Sequence, residues 1–353
     1  MFVEELRDCK EWTDFLQTSS NGTIYHSLKW KEVIQRSFPH KALYLTIKDA
    51  NGRLTGICPG FIMKSTNLKM YCSTPYSDYG GPVITEHYPQ QASLSLLNFF
   101  QNFCSEKGIT YAKICFMEDK LAYFFKSPLS YEDASRGTME LDLKVTSSDF
   151  IWNKLFSQNT RRKIRLIERD GFQVQEAQTK SDLKDFYDLY LKNMKYIGAL
   201  PYSYNFMKNM WEILYPQNLR IWLIEKERRI GGMLVLKSEQ KTFAAFMGID
   251  RSQFYSKYRI FPFLIWKEIR TAEEEGIRYV SLGETSSDPK NPHHTQKQGL
   301  GATFRQQKMV WYPFCLSGHI LIQARAKSIS AWKALRGFLP KGSRRIETIF
   351  SRF

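Results

Sequence analysis

Residues 258–284 read YRIFPFLIWKEIRTAEEEGIRYVSLGE, and residues 94–116 read LSLLNFFQNFCSEKGITYAKICF. In each, apolar side chains recur at helical spacing, a Glu-Glu or Glu-Lys pair leads into a glycine, and a short apolar strand follows. Gly276 and Gly108 stand where a helix ends in the left-handed conformation, which glycine adopts without steric cost. A strand, a turn and a second strand precede both stretches. They are LYLTIKDANGRLTGICPGFIMKS from Leu43 and IWLIEKERRIGGMLVLKSEQKTFAAFMGI from Ile221. Asn51-Gly52 accepts the positive φ angles of a tight hairpin. Further upstream each half opens with a strand and a helix, FVEELRDCKEWTDFL and FQVQEAQTKSDLKDFYDLYLKNM. The order β-α-β-β-α-β thus occurs twice, which predicts an α/β (α+β) chain of two tandem copies of one unit with mixed sheets.

That order resembles the GNAT acyltransferase fold. The 353 residues suffice for two such domains. Their expected bounds are 1–143 and 144–315, with a helical basic segment over 316–353. Six cysteines without a CxxC pair predict reduced core thiols and neither a disulfide framework nor a metal site. No run approaches the roughly 18–20 apolar residues of a membrane span, and the acidic start MFVEELRDCK does not resemble a signal peptide, so a cytoplasmic chain is expected.

The formal net charge of +16 is unevenly spread. Residues 1–143 carry 15 basic and 16 acidic side chains, residues 144–315 carry 28 and 18, and residues 316–353 carry 8 and 1. A field concentrated in the second half points to polyanionic partners: nucleic acid, anionic lipid or a phosphorylated substrate.

A CoA-using GNAT enzyme has a Q/R-x-x-G-x-G/A loop between strand and helix, whose backbone N–H groups cradle the pyrophosphate. The corresponding stretch here places Arg259, Ile260, Phe261 and Pro262 where the glycines belong. In the first half Gly80-Gly81 is followed by Pro82, which removes a donor. Another activated acyl donor is therefore favoured, and no cofactor is expected.

Over roughly residues 20–315 the chain resembles the Fem family (FemABX-like) of nonribosomal aminoacyl transferases, tandem-GNAT proteins. The carriers are HSLKWKEVI (26–34), STPYSDYGGP (73–82), NTRRKIRLIERDGF (159–172), FYDLYLKNMKYIGALPYS (186–203), residues 258–284, and HTQKQGLGA (294–302). In the last, Lys297–Gly301 is similar to the family's K-x-x-(F/W)-G pattern, with Leu300 in place of the aromatic. No heptad insertion lies between Gly171 and Lys297, so the resemblance is to members without a coiled-coil arm. It implies transfer of an amino acid from aminoacyl-tRNA to an amine of a lipid- or nucleotide-linked peptidoglycan-precursor peptide, by a monomer. It also implies that the C-terminal segment completes the first domain.

Lys297, between a breaker-rich loop and two glycines, is the candidate for phosphate or oxyanion contact. Glu284, at the C-terminal end of a strand, is the candidate to accept a proton from the attacking amine. Five cations from Arg161 to Arg169 form a candidate phosphate clamp, with Arg161 and Arg165 as its principal members by resemblance to R-x-x-I-R. Tyr76, Asp78 and Tyr79 form a possible polar wall facing the acceptor, and Tyr258 and His294 complete the substrate-binding set. No metal ligand set is expected. The tail has amphipathic spacing that can place Trp332, Leu335 and Phe338 on an anionic membrane, against the alternative of packing on the first domain. Two further functions fit the same features: a CoA- or carrier-dependent N-acyltransferase, and a noncatalytic adaptor for nucleic acid or membrane.

Overall fold

In the computed structural model, which describes residues 1–65, 68–73, 75–85, 89–117, 119–252 and 258–335, the two glycine-marked stretches fold alike. Helix Pro89–Glu106 leads into strand Tyr111–Phe116, and helix Ile260–Glu274 into strand Tyr279–Ser286. Gly108 and Gly276 close the helices at φ +63° and +72°. The hairpin at Asn51-Gly52 also forms, with Gly52 at φ +78° and Asp49 Oδ1 accepting the N–H groups of Asn51 and Arg53, each at 2.9 Å.

The chain divides into two compact units: Met1–Gly137 together with the segment beginning at Gln306, and Thr138–Arg305. In the first unit, strand Phe2–Glu5 pairs with Leu45–Lys48, which pairs with Leu54–Cys58. At Pro59-Gly60 the strand pair passes into a second sheet. There the strands run in the order Lys41–Ala42, Phe61–Ser65, Leu68–Cys72, Tyr111–Phe116, Lys308–Pro313, Tyr131–Asp133. Lys308–Pro313 therefore lies inside this sheet, antiparallel to a neighbour on each side. Helix Pro89–Glu106 buries Ala92, Leu96, Phe100 and Cys104, spaced four apart, in a core with Leu45, Ile47, Ile114 and Val310.

The second unit is built on a seven-stranded mixed sheet. Its central strands are Leu219–Glu225, Arg229–Lys237, Lys241–Ile249 and Tyr279–Ser286. Alternate residues Trp222, Ile224, Met233 and Val235 join helices Gln158–Arg169 and Ile260–Glu274 in one core. The other face receives helix Lys180–Ile197. Gly231 and Gly232 admit helices from both sides, since a Cβ would stand 2.8 Å from Ile260 at the first and 2.9 Å from Phe186 at the second.

Beneath the sheet lies a buried charge cluster. Glu268 is fully buried, accepts the Trp222 indole N–H at 2.7 Å and faces Arg220 at 3.8 Å. Arg220 also pairs with Glu275, which takes Lys237 at 2.9 Å. Burial pushes the Glu268 carboxyl above its ordinary range despite the nearby guanidinium. Among the described residues no helix is long and apolar enough to cross a membrane.

Candidate active site

The second unit's sheet opens along its parallel pair. Lys241–Ile249 and Tyr279–Ser286 are in register only at Lys241↔Tyr279, Thr242↔Val280 and Phe243↔Ser281. Just beyond, the register on the other side of Lys241–Ile249 slips, from Val235↔Ala244 to Leu234↔Phe246, leaving Ala245 bulged. A bulge bends and twists its strand, and residues 244–249 have no ladder partner in Tyr279–Ser286. The departing strand is held from the helix side: the Asn193 carboxamide donates to Met247 O at 3.0 Å and accepts from Arg251 Nε at 2.9 Å.

The opposite lip carries Glu284. Gly283, at φ +82°, kinks the strand there. Helix Pro292–Gln298 starts at Asn291, whose side chain caps the His293 N–H at 2.9 Å, with Pro292 in its first turn. The i, i+3 spacing of His294 and Lys297 turns both toward the strand end. Lys297 Nζ donates to Gly283 O at 3.0 Å and Glu284 O at 2.9 Å. His294 is buried against Phe304, and its Nδ1 lies 2.8 Å from Ser286 O. A carbonyl only accepts, so Nδ1 carries the hydrogen and Nε2 is the basic nitrogen of the neutral ring. Lys297 and His294 are thus brought to the strand end, where Glu284 takes part through its backbone carbonyl. Gly301, at φ +84°, ends the following turn.

Two residues of this lip and its partner escaped the sequence reading. Thr285 is 5% exposed, and its hydroxyl has no hydrogen-bond partner among the described residues. Asn193 sits in an amphipathic helix, where its single signal was an amide on the buried face.

Helix Ile260–Glu274 begins beside the opening without a side-chain cap. Its first turn is Ile260, Phe261, Pro262 and Phe263, of which Ile260, Pro262 and Phe263 are buried. Residues 253–257, which precede it in sequence, lie outside the described residues.

The other predicted residues of this unit lie on the elements around helix Gln158–Arg169. Arg161 Nη1 donates to the carbonyls of Trp152, Asn153 and Phe156, at 2.9, 3.2 and 2.6 Å. That nitrogen closes the π-helical segment Ile151–Leu155. Arg165 is exposed and lies 5.5 Å over the Trp152 ring, and Arg162 is exposed beside it. Arg169 pairs with Asp170, which also accepts the Tyr258 hydroxyl at 2.7 Å. Tyr258 is buried edge-on against Phe172.

Tyr76, Asp78 and Tyr79 belong to the first unit. Tyr76, at φ +62°, stacks on Phe38 at 4.0 Å, and its hydroxyl lies 2.8 Å from His40 Nε2. Asp78 O accepts from Gln307 Nε2 at 2.8 Å. Tyr79 is buried against His26. In this unit the parallel pair, in register from Met70↔Tyr111 to Cys72↔Lys113, does not splay in the same way. Ser73 continues it, with its N–H on Lys113 O at 3.0 Å. The Ser73 hydroxyl accepts from Cys115 N at 3.0 Å and donates to Gly80 O at 2.7 Å. His26 Nδ1 accepts the Thr23 N–H, so Nε2 donates to Gly81 O, at 3.1 Å. Gly81 packs so closely that a Cβ would stand 1.7 Å from Cys115 O. The glycine pair, a weak candidate for phosphate binding in the sequence, packs against strand Tyr111–Phe116.

Comparison with known proteins agrees with this architecture. Residues 154–291 match the acetyltransferase (GNAT) domain family. FemX superposes with a TM-score of 0.73 at 13% identity, over 92% of this chain and 99% of that one. L-PGS from Bacillus licheniformis superposes with a TM-score of 0.56 at 12% identity, over 91% and 97%. A tandem GNAT protein from the clavulanic acid biosynthesis pathway gives 0.56 at 10% identity, over 88% and 97%. No curated protein matches in sequence. The fold is a tandem GNAT fold of the FemX kind.

Proposed function

From a tandem GNAT fold, we propose that the chain is an aminoacyl transferase. It moves an amino acid from aminoacyl-tRNA to an amine of a lipid- or nucleotide-linked peptide of the peptidoglycan-precursor kind, in the cytoplasm and at an anionic membrane surface. The observation that carries this reading is the sheet opening of the second unit. At one lip the Lys297 ammonium and the His294 imidazole are fixed on the strand-end carbonyls of Gly283, Glu284 and Ser286, and the helix that follows the opposite strand begins with bulky side chains and a proline.

An aminoacyl ester is already activated. The acceptor nitrogen attacks the ester carbonyl, an N–C bond forms, and the C–O bond to the ribose breaks. The amine proton passes to a base, and the ribose oxygen leaves protonated. Positioning and charge stabilisation carry most of such a reaction. Lys297, held by two strand-end carbonyls, meets the developing oxyanion. Glu284 takes the amine proton, with His294 Nε2 as the neighbouring base. Arg165 and Arg162, on the exposed face of their helix, contact tRNA phosphates. Arg161 supports that helix instead, because its Nη1 is engaged by three carbonyls.

The second reading, a CoA-dependent N-acyltransferase, is favoured by the acetyltransferase domain match over 154–291. Incubation with labelled aminoacyl-tRNAs and lipid- or nucleotide-linked peptides, followed by mass spectrometry, separates the two. An acceptor heavier by one amino-acid residue is expected. Turnover of acyl-CoA without transfer from tRNA overturns the proposal.

A further inference from the structure

We infer that one face of the C-terminal helix is a docking surface for an anionic lipid bilayer. Helix Leu316–Leu335 is fastened to the first unit along a single side. Gly318 packs against Thr110, where a Cβ would stand 2.2 Å from Thr110 O. One turn on, Ile322 is 1% exposed, and Arg325 lies 5.2 Å over the Trp311 ring. His319 Nδ1 lies 3.3 Å from Leu129 O, which ties the helix to the 127–130 turn.

The helix rotation then fixes what faces outward. Leu316 is 75% exposed and Ile320 58%, and Ala324 and Lys327 continue their row. Leu321 flanks the row, and Leu129, 50% exposed, stands beside it. Single exposed aliphatics are ordinary on a protein surface. A row of them on a helix pinned from behind is a fixed apolar strip.

Charge selects the occupant. Residues 1–143 are nearly balanced, whereas 316–353 hold 8 basic side chains and 1 acidic one. An aliphatic strip that runs on into a basic segment, through Lys327 at its end, suits the boundary of an anionic bilayer, where the strip enters the acyl region and the cations meet headgroups. Nucleic acid would use the cations and gain nothing from Leu316 and Ile320. Trp332 and Leu335 side chains, and everything from Arg336 on, Phe338 included, lie outside the described residues, so the apolar strip is argued from the helix start and the charge from the sequence. The inference deepens the proposed function, because a lipid-linked acceptor is found at such a surface.

The test is vesicle flotation of the full chain at about 0.15 M salt. One vesicle set is pure phosphatidylcholine, and the other contains one-quarter phosphatidylglycerol. The wild type is expected to float with the anionic set only. Leu316→Asp with Ile320→Asp is expected to cut partitioning roughly tenfold or more, with an unchanged far-ultraviolet spectrum. Lys327→Glu, which leaves the apolar strip intact, should cut it less. Equal partitioning into neutral vesicles, no partitioning, or an undiminished double variant overturns the inference. So does a wild-type dimer that the double variant converts to monomer, which would give the strip to a second copy. Vesicle binding needs no turnover. Transfer without vesicle binding sinks this inference, with the membrane location, and leaves the transfer reaction standing; vesicle binding without transfer sinks the transfer reaction alone.

Discussion

Replacing Lys297 by methionine separates a catalytic ammonium from a structural one. Methionine keeps most of the side-chain length and removes the charge. Two hydrogen bonds disappear, to Gly283 O at 3.0 Å and Glu284 O at 2.9 Å. A charge-assisted bond is worth about 1.5–3 kcal/mol when its partner is left dry. Glu284 is only partly buried, so water can re-satisfy its carbonyl, and a net loss of about 2 kcal/mol follows. In a unit of this size that lowers Tm by about 4–8 °C. Against a typical stability of about 5–15 kcal/mol, the variant stays folded at 25 °C. Loss of one preorganised donor to an oxyanion costs about 10²–10³ in kcat, far more than unfolding can supply at that temperature. The assay is initial-rate aminoacyl transfer to the peptide acceptor, with Tm measured on the same samples. A Tm fall accompanied by kcat within a few-fold of wild type would refute the catalytic assignment and leave Lys297 a strand-end clamp. Lys297→Arg is the companion variant: it keeps the charge but presents a planar fork, and partial recovery is expected.

Three other outcomes follow from the packing. Arg220→Met leaves Glu268 buried without its cation and should cost about 3–5 kcal/mol by denaturant unfolding; adding Glu268→Gln should recover part of it, because the two changes share one network. Burial raises the Asp182 carboxyl, but the Gln178 N–H, Thr179 and Arg229 outweigh it and hold the group at about 2. Its folded value lies below the ordinary 3.8, so it contributes about 2 kcal/mol above that pH. This contribution is lost as pH falls through about 2, and Asp182→Asn should flatten that part of an acid-unfolding profile. Gly81→Ala drives a Cβ into Cys115 O and should lower stability by about 3 kcal/mol, at the upper end of overpacking; an unchanged Tm would show that the segment yields.

What the sequence made legible was local. Gly108, Gly276 and Asn51-Gly52 carry conformational demands that a few residues determine, and helix, strand and hairpin followed from them. The bulky start of helix Ile260–Glu274 was legible for the same reason. Long-range pairing was not. Nothing near Arg161 announces that its guanidinium closes a π-helical segment, since Arg-rich helices more often face solvent. Gly80-Gly81 carries the composition of a ligand loop, yet it is small because Cys115 lies against it. Arg220 and Glu268 meet from elements 48 positions apart in sequence, which periodicity cannot reveal. The sheet opening begins beside the Ala245 bulge, and one extra residue in an apolar strand leaves no compositional mark.

The strand Lys308–Pro313 has a consequence for how the chain is made. It pairs with Tyr111–Phe116 on one side and Tyr131–Asp133 on the other, yet the ribosome delivers it only after residues 138–305. At ~5–20 residues per second that is a wait of roughly ten to thirty seconds. Throughout it, Tyr111–Phe116 is an unfilled β-edge, the kind of surface that recruits stray strands. The second unit has all its strands in hand sooner than the first can close its sheet. Vectorial synthesis therefore completes the two units in the reverse of their order of appearance. A nascent chain stalled before residue 308 is left with an open β-edge, the substrate that holdase chaperones bind.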